Sequence, residues 1–218
     1  MLSAQVKSAT KRLTEKTEFF LGRPTKFNRD DAVEIAMNTF WTKGYEPTSV
    51  SDLATAMNIT RSSFYNSFQD RERIFAEALV RYNSNDTDAP LEGKIAGITA
   101  VEALHLFFEG VCTKLAADPL GRGCLIINCY MQASPDKPAP NGVHEFLETK
   151  LRQFSDCVES AKIEGTLDAA ADTLTLANNL LAYLMGLNVI SKTIREEKTL
   201  KAMAGQFLEK AGFHKPQY

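Results

Sequence analysis

Between residues 48 and 71, hydroxyl, amide and guanidinium side chains alternate with large apolar ones. Phe64 and Phe68 are four residues apart, so a helix would place both on one face and its polar side chains on the other. Small polar and basic groups on a helix face can hydrogen-bond to base edges in the major groove of DNA. The side chains expected on this outer face are Arg61, Ser62, Ser63, Asn66 and Ser67.

Three further positions in this stretch can reach a phosphate backbone. Tyr65 stands at the edge of the polar face, where its hydroxyl is within reach of a phosphate. Thr48 and Ser49 precede a predicted helix, and the free N–H groups at a helix N-terminus bind anions. Phosphate contacts position a protein on DNA and base contacts give specificity, so residues 48–71 predict a DNA-reading surface.

The elements that would carry these side chains are short helices with clear start and stop signals. Ser49 and Asp52 have the spacing of a capping box. Asn58 tolerates the left-handed backbone conformation and ends the first helix. Helices at 50–57 and 61–68, joined by this turn, predict a helix-turn-helix. The residues expected to cap the four helices of this region are Asn28, Ser49, Thr60 and Asp70.

Helical spacing dominates the rest of the chain and strand signals are scarce, so the sequence predicts an all-α fold. We expect a basic arm at residues 1–27 with an extra helix at 5–20, a three-helix helix-turn-helix domain at 28–82, and a second helical domain at 83–218. The boundary is placed at 83–97, which is rich in turn-forming residues. The helices expected after it are 100–117, 124–132, 142–164, 167–193 and 196–211.

The composition of the 218 residues, 44% hydrophobic and 24% charged, excludes disorder of the whole chain. No apolar stretch reaches the ~20 residues of a membrane span, and no signal peptide is visible. Four cysteines do not form a secreted disulfide framework, so we expect a reduced, cytoplasmic protein with no membrane partner. Residues 1–29 carry seven basic and two acidic side chains, which fits either a polyanion partner or a solvated tail.

Candidate metal-binding and catalytic groups are scattered. The four cysteines (Cys112, Cys124, Cys129 and Cys157) and the three histidines lack the spacing of a zinc site. Motifs for nucleophilic hydrolases, phosphate-binding loops, dinucleotide folds and zinc proteases are absent from the sequence. We therefore expect no metal, no cofactor and no enzymatic activity.

Residues 28–82 resemble the DNA-binding domain of the tetracycline-repressor (TetR) family of bacterial transcriptional regulators. Arg71 stands where the family usually has lysine, and Asn58 where glycine is commoner. The resemblance implies a regulator that binds palindromic double-stranded operator DNA as a homodimer. The pieces that carry it are Ala36 to Phe40, Gly44-Tyr45, Thr48-Ser49-Val50, Leu53-Ala54, Ile59 to Phe68, Arg71, Ile74 and Phe75.

An extended arm, Gly22-Arg23-Pro24, is similar to one found in a subset of the family. Arg23 on this arm is expected either to enter the minor groove or to belong to a mere linker. The DNA-contacting residues that the resemblance and the residue chemistry together predict are Arg23, Thr48, Ser49, Arg61, Ser62, Ser63, Tyr65, Asn66 and Arg71.

In this family the C-terminal domain dimerises and encloses a small-molecule pocket. Helix 167–193 is apolar over more than one face, which predicts burial against its own core and against a partner subunit, and a monomer with an internal helix is the alternative. The residues expected at the dimer interface are Leu180, Leu184, Leu187, Leu200, Met203 and Phe207. Those expected to bind a ligand are Phe107, Phe108, Cys112, Cys124, Ile127, Asn128, Met131, Phe146, Phe154, Asn178 and Leu181, and plain core is the alternative for each apolar one.

Gly123-Cys124-Leu125 resembles a branch of the family in which a cysteine at this place reacts with electrophiles or oxidants. The main prediction is a repressor released from its operator by a small apolar molecule. One alternative is a redox- or electrophile-sensing repressor that acts through Cys124. Another is a small-molecule binding protein whose DNA-binding head no longer functions.

Overall fold

The computed structural model describes residues 28–84, 86–93 and 95–215, and in these ranges the chain forms α-helices, one short 3-10 helix and no β-strand. The predicted extra helix at 5–20 and Arg23 lie outside the described residues. The α-helices are α1 (Arg29–Lys43), α2 (Val50–Ala56), α3 (Arg61–Phe68), α4 (Arg71–Asn83), α5 (Ala100–Ala117), α6 (Leu125–Met131), α7 (Asn141–Ile163), α8 (Thr173–Ile190) and α9 (Glu197–Lys210).

The predicted all-α fold is thereby confirmed. By the contacts between its Cα atoms, the chain forms two compact units that divide after Ala32, within α1. Every site described below lies in the second unit, which begins at Val33. The division into domains at 28–82 and 83–218 stays a prediction.

Helices α2 to α4 begin where the sequence places their caps. Ser49 and Asp52 form a capping box at α2. The Thr60 side chain accepts the N–H of Ser63 at 3.1 Å, and that of Asp70 accepts the N–H of Arg73 at 2.8 Å. Side-chain acceptors here satisfy N–H groups that have no partner within the helix.

The turn between α2 and α3 has a backbone that few residues adopt. Asn58 has φ 55°, in the left-handed region, where asparagine is tolerated. This turn brings the two helices together over Leu53, Phe64 and Phe68, each at most 1% exposed. Phe40 of α1 meets Phe75 of α4 edge to face, with ring centroids 5.0 Å apart. This contact completes the core of helices α1 to α4, which we call the head. The predicted helix-turn-helix is confirmed.

Helices α5 to α9 share a second core. Helix α5 packs against α7, α8 and α9, and α7 packs along α8. Phe107, Phe108 and Phe154 form its aromatic centre, where Phe108 and Phe154 stack with centroids 6.0 Å apart. This core fixes the positions of α5, α7 and α8, which carry most of the cavity described below.

Helix α8 is shorter than the predicted helix 167–193. Asp172 caps it, since its carboxylate accepts the N–H of Thr175 at 2.7 Å, and the chain from 167 to 172 forms turns instead. The helix ends at Ile190, after which Ser191–Thr193 form a turn. The sequence pattern predicts a longer helix because apolar residues before Thr173 continue the helical spacing. The capping signal of Asp172 instead determines where the helix begins.

Candidate DNA-binding surface and effector cavity

The outer face of α3 carries the polar side chains that the sequence predicts there. Arg61, Ser62, Ser63 and Asn66 are exposed, and Tyr65 is 46% exposed. The aromatic residues that alternate with them are buried and hold the helix against the head. The arrangement presents donors and acceptors of a size that fits a major groove.

The start of α2 adds Ser49 to this surface but not Thr48. Ser49 is exposed, and its hydroxyl donates a hydrogen bond to the Asp52 carboxylate. Hydrogen bonds from Lys43 and then from Ser49 hold the pKa of Asp52 well below its usual range. Thr48 is fully buried, and its hydroxyl donates to the carbonyl of Gly44 at 2.6 Å. The expected phosphate contact of the Thr48 side chain is wrong, because that hydroxyl closes the turn after α1.

Arg71 also points into the protein. Its guanidinium donates to the carbonyl oxygens of Tyr45, Glu46 and Thr48 at 3.3, 3.4 and 3.1 Å. It also lies 4.2 Å from the centroid of the Tyr45 ring. The expected DNA contact of Arg71 is corrected: its side chain braces the loop between α1 and α2, whose carbonyls have no helical partners.

A cavity of about 70 Å³ lies among α4, α5, α6, α7 and α8. By a measure in which one water needs about 10–15 Å³, this is room for about five to seven water-sized groups. Four of the predicted ligand-binding residues line it together: Phe107, Cys124, Ile127 and Phe146.

Sequence reasoning missed most of the polar side chains of this cavity. Among those missed are Tyr82 of α4, Lys114 of α5, Lys150 of α7 and Asn188 of α8. For Lys150 the sequence contains an indication of this position. Lys150 lies four residues from both Phe146 and Phe154, within an apolar stripe of α7. A lysine in such a stripe must be buried or reach out of it.

Several predicted ligand-binding residues belong elsewhere. Phe108, Cys112 and Phe154 are fully buried in the second core and do not border the cavity. Asn178 is exposed and donates to the carbonyl of Leu174 at 2.8 Å. Met131 is 60% exposed at the end of α6. The face of a helix predicts which of its residues are buried, but not where neighbouring helices separate to leave a pocket.

Leu181 and Asn128 also lie outside the cavity. Leu181 is half-buried on α8, beside the second core. Asn128 donates to the carbonyl of Arg122 at 2.6 Å and accepts from the ammonium of Lys192 at 2.8 Å. Its side-chain amide therefore has its partners within the protein, and the expected ligand contact is corrected.

The loop from Asp118 to Cys124 joins the cavity to the helix-turn-helix head. Arg122 makes an ion pair with Asp118 at 2.9 Å and donates to the side chain of Asn38 at 3.1 Å. Its guanidinium also stacks 3.7 Å from the centroid of Trp41. The Trp41 indole donates to the carbonyl of Gly123 at 3.0 Å. Two side chains of α1 are thus held by a loop whose last residue, Cys124, lines the cavity.

The other side of this loop is fixed by α8 and α4. The side-chain oxygen of Asn188, a buried residue, accepts the N–H of Cys124. The hydroxyl of Tyr82 accepts the N–H of Leu125 at 3.4 Å. Burial and the neighbouring Cys124 thiol raise the pKa of Tyr82, which keeps its hydroxyl protonated.

The cysteines differ in their access to solvent. Cys112, Cys129 and Cys157 are buried, and burial raises the pKa of these thiols to about 11, 12 and 11. Cys124 is half-buried and borders the cavity. In the part of the chain that the structure describes, no group of three His, Cys, Asp or Glu side chains could hold a metal ion.

Four of the six residues expected at a dimer interface are already covered within one chain. Leu180, Leu184, Leu187 and Leu200 are at most 5% exposed, so they belong to the second core, and that expectation is corrected. Met203 and Phe207 of α9 are half-buried and remain accessible.

The opposite side of α8 is open instead. It carries Leu174, Ala182 and Val189, with Leu174 62% and Val189 52% exposed. By length and composition alone α8 could cross a membrane, but a core helix of a soluble protein passes the same test. Helix α8 is therefore apolar on two sides, as the sequence predicts. The side that was expected to meet a partner is buried in its own chain, and the opposite side is the one left open.

Comparison with known proteins agrees with both halves of this architecture. Residues 33–78 match the family model described as bacterial regulatory proteins of the tetR family, and residues 100–207 match the tetracyclin repressor-like C-terminal domain. The transcriptional repressor ComR of Escherichia coli K12 is 29% identical over 192 residues, which cover 86% of this chain and 90% of ComR.

Two solved structures carry the same fold. A cysteine mutant of the TetR family regulator CifR, complexed with a 26-base-pair operator DNA, has a TM-score of 0.73 and 28% identity, and the match covers 89% of this chain and 100% of that one. A TetR-type regulator from Rhodococcus sp. RHA1 is 30% identical with a TM-score of 0.53, over 79% of this chain and 93% of that one.

Regulators of this family are DNA-binding transcription factors that act as dimers and respond to small molecules. The matched family models, the relatives and the exposed recognition helix lead to one conclusion. The chain belongs to the TetR family of bacterial transcriptional regulators, whose related members are DNA-binding repressors.

Proposed function

We propose that this protein is a repressor that binds a palindromic operator as a homodimer and leaves it when a small apolar molecule fills the cavity. The observation that carries the proposal is the position of Tyr82. It lies at the end of α4, borders the cavity, and meets the indole of Trp41 edge to face with centroids 5.2 Å apart. A ligand that moves Tyr82 therefore acts on a side chain packed against α1.

The mechanism that we propose has two conformations. A ligand shifts the population toward the form to which it binds better. The recognition helices of a dimer must lie about 34–36 Å apart to enter successive major grooves, so a displacement of a few ångströms suffices for release. The loop from Asp118 to Cys124 would transmit the displacement, because it contacts the cavity, α1 and α8.

For DNA, we propose contacts from the exposed side chains of α3 and from the start of α2. Thr48 and Arg71 would shape this surface from within. Arg23 stays a proposed minor-groove contact on grounds of sequence alone. The proposed contacts are Ser49, Arg61, Ser62, Ser63, Tyr65 and Asn66.

For assembly, we propose that the open side of α8, together with α9, packs against the same two helices of a second copy, as a four-helix contact. Met203 and Phe207 would take part from α9. We also propose that the protein acts in the cytoplasm and by binding alone, without catalysis.

A mobility-shift assay tests DNA binding most directly. The purified protein is expected to retard the DNA upstream of its own gene, and to retard a random fragment of equal length far less. Equal retardation of both fragments at every salt concentration would contradict a specific operator in that region.

A cavity-filling variant tests the effector route without a known ligand. Val111→Phe extends a ring into the cavity that Val111 borders, and should lower operator affinity as an effector would. Leu106→Phe is the matched control, because Leu106 lies on the same helix, is 41% exposed and does not border the cavity. If a folded Val111→Phe protein binds the operator as tightly as the control, the cavity does not govern release.

A second candidate function is supported by Cys124. It is the half-buried cysteine at the cavity, whereas the other three are buried. Peroxide or a small quinone should then release the operator, and Cys124→Ser should abolish that response while Cys157→Ser should not. A response that survives Cys124→Ser would rule out this mechanism and leave the apolar effector.

A further inference from the structure

Most of the surface that lines the cavity is apolar, and two lysine side chains also line it. Lys114 comes from α5 and Lys150 from α7, and the walls include the rings of Tyr82, Phe107 and Phe146. An ammonium group in such surroundings has lost water and needs compensation from an anion or from aromatic faces. The two lysines obtain that compensation in different ways.

Lys150 is already paired. Its side chain is 2% exposed, and its ammonium lies 2.7 Å from the carboxylate of Asp88 and donates to the side-chain oxygen of Gln153 at 2.9 Å. It also lies 5.2 Å from the ring centroid of Phe107. Its positive charge is therefore matched by one carboxylate within the protein.

Within the described ranges, Lys114 makes no such ion pair. Its ammonium lies 4.1 Å from the centroid of the Tyr82 ring, and among the described residues it makes no hydrogen bond or ion pair. Loss of water on burial lowers the pKa of Lys114, and the nearby Cys124 and the Asp88 carboxylate offset only part of this effect. A ring face alone offsets little of the cost of removing an ammonium from water.

The side chains that line the cavity carry two ammonium groups and one carboxylate, that of Asp88, so their net charge is positive by one. We propose that the effector is a compact monoanion, an aryl or short alkyl carboxylate, whose charged group pairs with Lys114 while its apolar body fills the space between Phe107, Val111 and Ile127. This inference rests on the proposed function: it keeps the same cavity and the apolar body of the ligand, and adds one charged group to that ligand.

The proposed ligand also accounts for the coupling to DNA. A carboxylate that binds Lys114 draws its ammonium away from the face of Tyr82, the side chain that packs on Trp41. Lys114 and Tyr82 thus connect the ligand to α1. A neutral ligand of equal shape would leave Lys114 on the Tyr82 ring.

The test compares benzoate with benzamide, which has nearly the same shape and no charge. Titration calorimetry, supported by the fluorescence of Trp41, the single tryptophan of the chain, measures both affinities. We expect benzoate to bind at least tenfold more tightly, and Lys114→Met to remove this preference. Lys198→Met is the matched control, because Lys198 is exposed on α9 and should keep the preference.

The outcomes separate this inference from the proposed function. Equal affinities for the two probes, no binding of benzoate, or a preference that survives Lys114→Met in a folded protein would each overturn the anion site. If an uncharged molecule then releases the operator, the proposed function stands without it. If benzoate binds with the expected preference but the operator stays bound, the anion site stands and release through this cavity fails.

Discussion

At the scale of single residues, three arginines show how one side-chain type serves different purposes. Arg61 is exposed on the recognition helix and free to meet a base. Arg71 holds three loop carbonyls, and Arg122 holds a carboxylate, an amide and an indole ring. A planar guanidinium with five N–H donors can satisfy several acceptors at once, which explains its use at both inner positions.

We expect Arg61→Ala to relax base preference in each half-site and to cost about 1–3 kcal/mol of operator binding. Competition binding between the operator and single-base variants measures the preference. An equal loss on operator and random DNA would contradict a base contact and indicate a phosphate contact instead.

Arg71→Ala should weaken binding to all DNA because the loop before α2 loses its brace, and it should lower the melting temperature. The slope of log affinity against log salt should not change, since no phosphate contact is lost. Loss of a phosphate contact would reduce that slope by about one. Binding isotherms at several salt concentrations decide between the two roles.

At the scale of elements, α8 combines two surfaces. One side, with Leu180 and Leu187, is buried in the second core, and the other, with Leu174 and Val189, is open in the single chain. Exposed apolar side chains in a row on a helix mark an association surface. The residues that anchor the helix in its own chain and those free to meet a partner are therefore different sets.

Ala182→Glu tests this surface without touching the core, because Ala182 is exposed. In a dimer the carboxylate would be buried without a partner, so the variant should be monomeric yet folded. Light scattering gives the mass and circular dichroism the fold. Ala76→Glu on α4, also an exposed mid-helix alanine, should remain dimeric. An Ala182→Glu protein that is still a dimer would place the interface elsewhere.

At the scale of the whole molecule, the loop from Asp118 to Cys124 is the place where separate parts meet. Arg195 of the chain after α8 donates to the carbonyl of Asp118 at 2.6 Å, while Arg122 reaches α1. The loop thereby joins the last helices, the cavity and the head. Its internal anchor is the pair of Asp118, with a 4% exposed side chain, and Arg122.

We expect Arg122→Gln to destabilise the protein by about 3 kcal/mol at neutral pH, because it leaves a buried carboxylate without its cation. Leu120→Ala is the control, since Leu120 is 66% exposed in the same loop. Urea unfolding measures both variants. A change of similar size in the two would show that the ion pair adds nothing.

The same variant has a defined pH dependence. Burial raises the pKa of Asp118, and the hydrogen bonds from Arg122 outweigh this, so its pKa is lowered in the folded protein. A lowered folded pKa contributes stability above the unfolded value of about 3.9, which is lost as pH falls through the folded pKa. Without Arg122 the burial effect remains and the carboxyl protonates more easily. The stability difference between wild type and Arg122→Gln should therefore narrow on acidification from pH 7 toward pH 4.

The sequence by itself determined the features that depend on neighbours three or four residues away. The capping box of Ser49 and Asp52, the left-handed turn at Asn58 and the polar face of α3 all follow from local hydrogen bonds and helical spacing. These local features suffice to predict the all-α fold and the helix-turn-helix. The run from Ile59 to Phe68 carries much of the resemblance to the family.

Only the tertiary structure decided which side chains meet across the chain. Arg71 lies 23 to 26 residues from the carbonyls it binds, and Arg122 lies 84 residues from Asn38. Helical periodicity marks an apolar face but not its neighbour, so Phe154 and Leu184 could not be assigned to core, cavity or interface. Where helices pack tightly and where they leave a space depends on the volumes of side chains from several helices at once, which no local pattern contains.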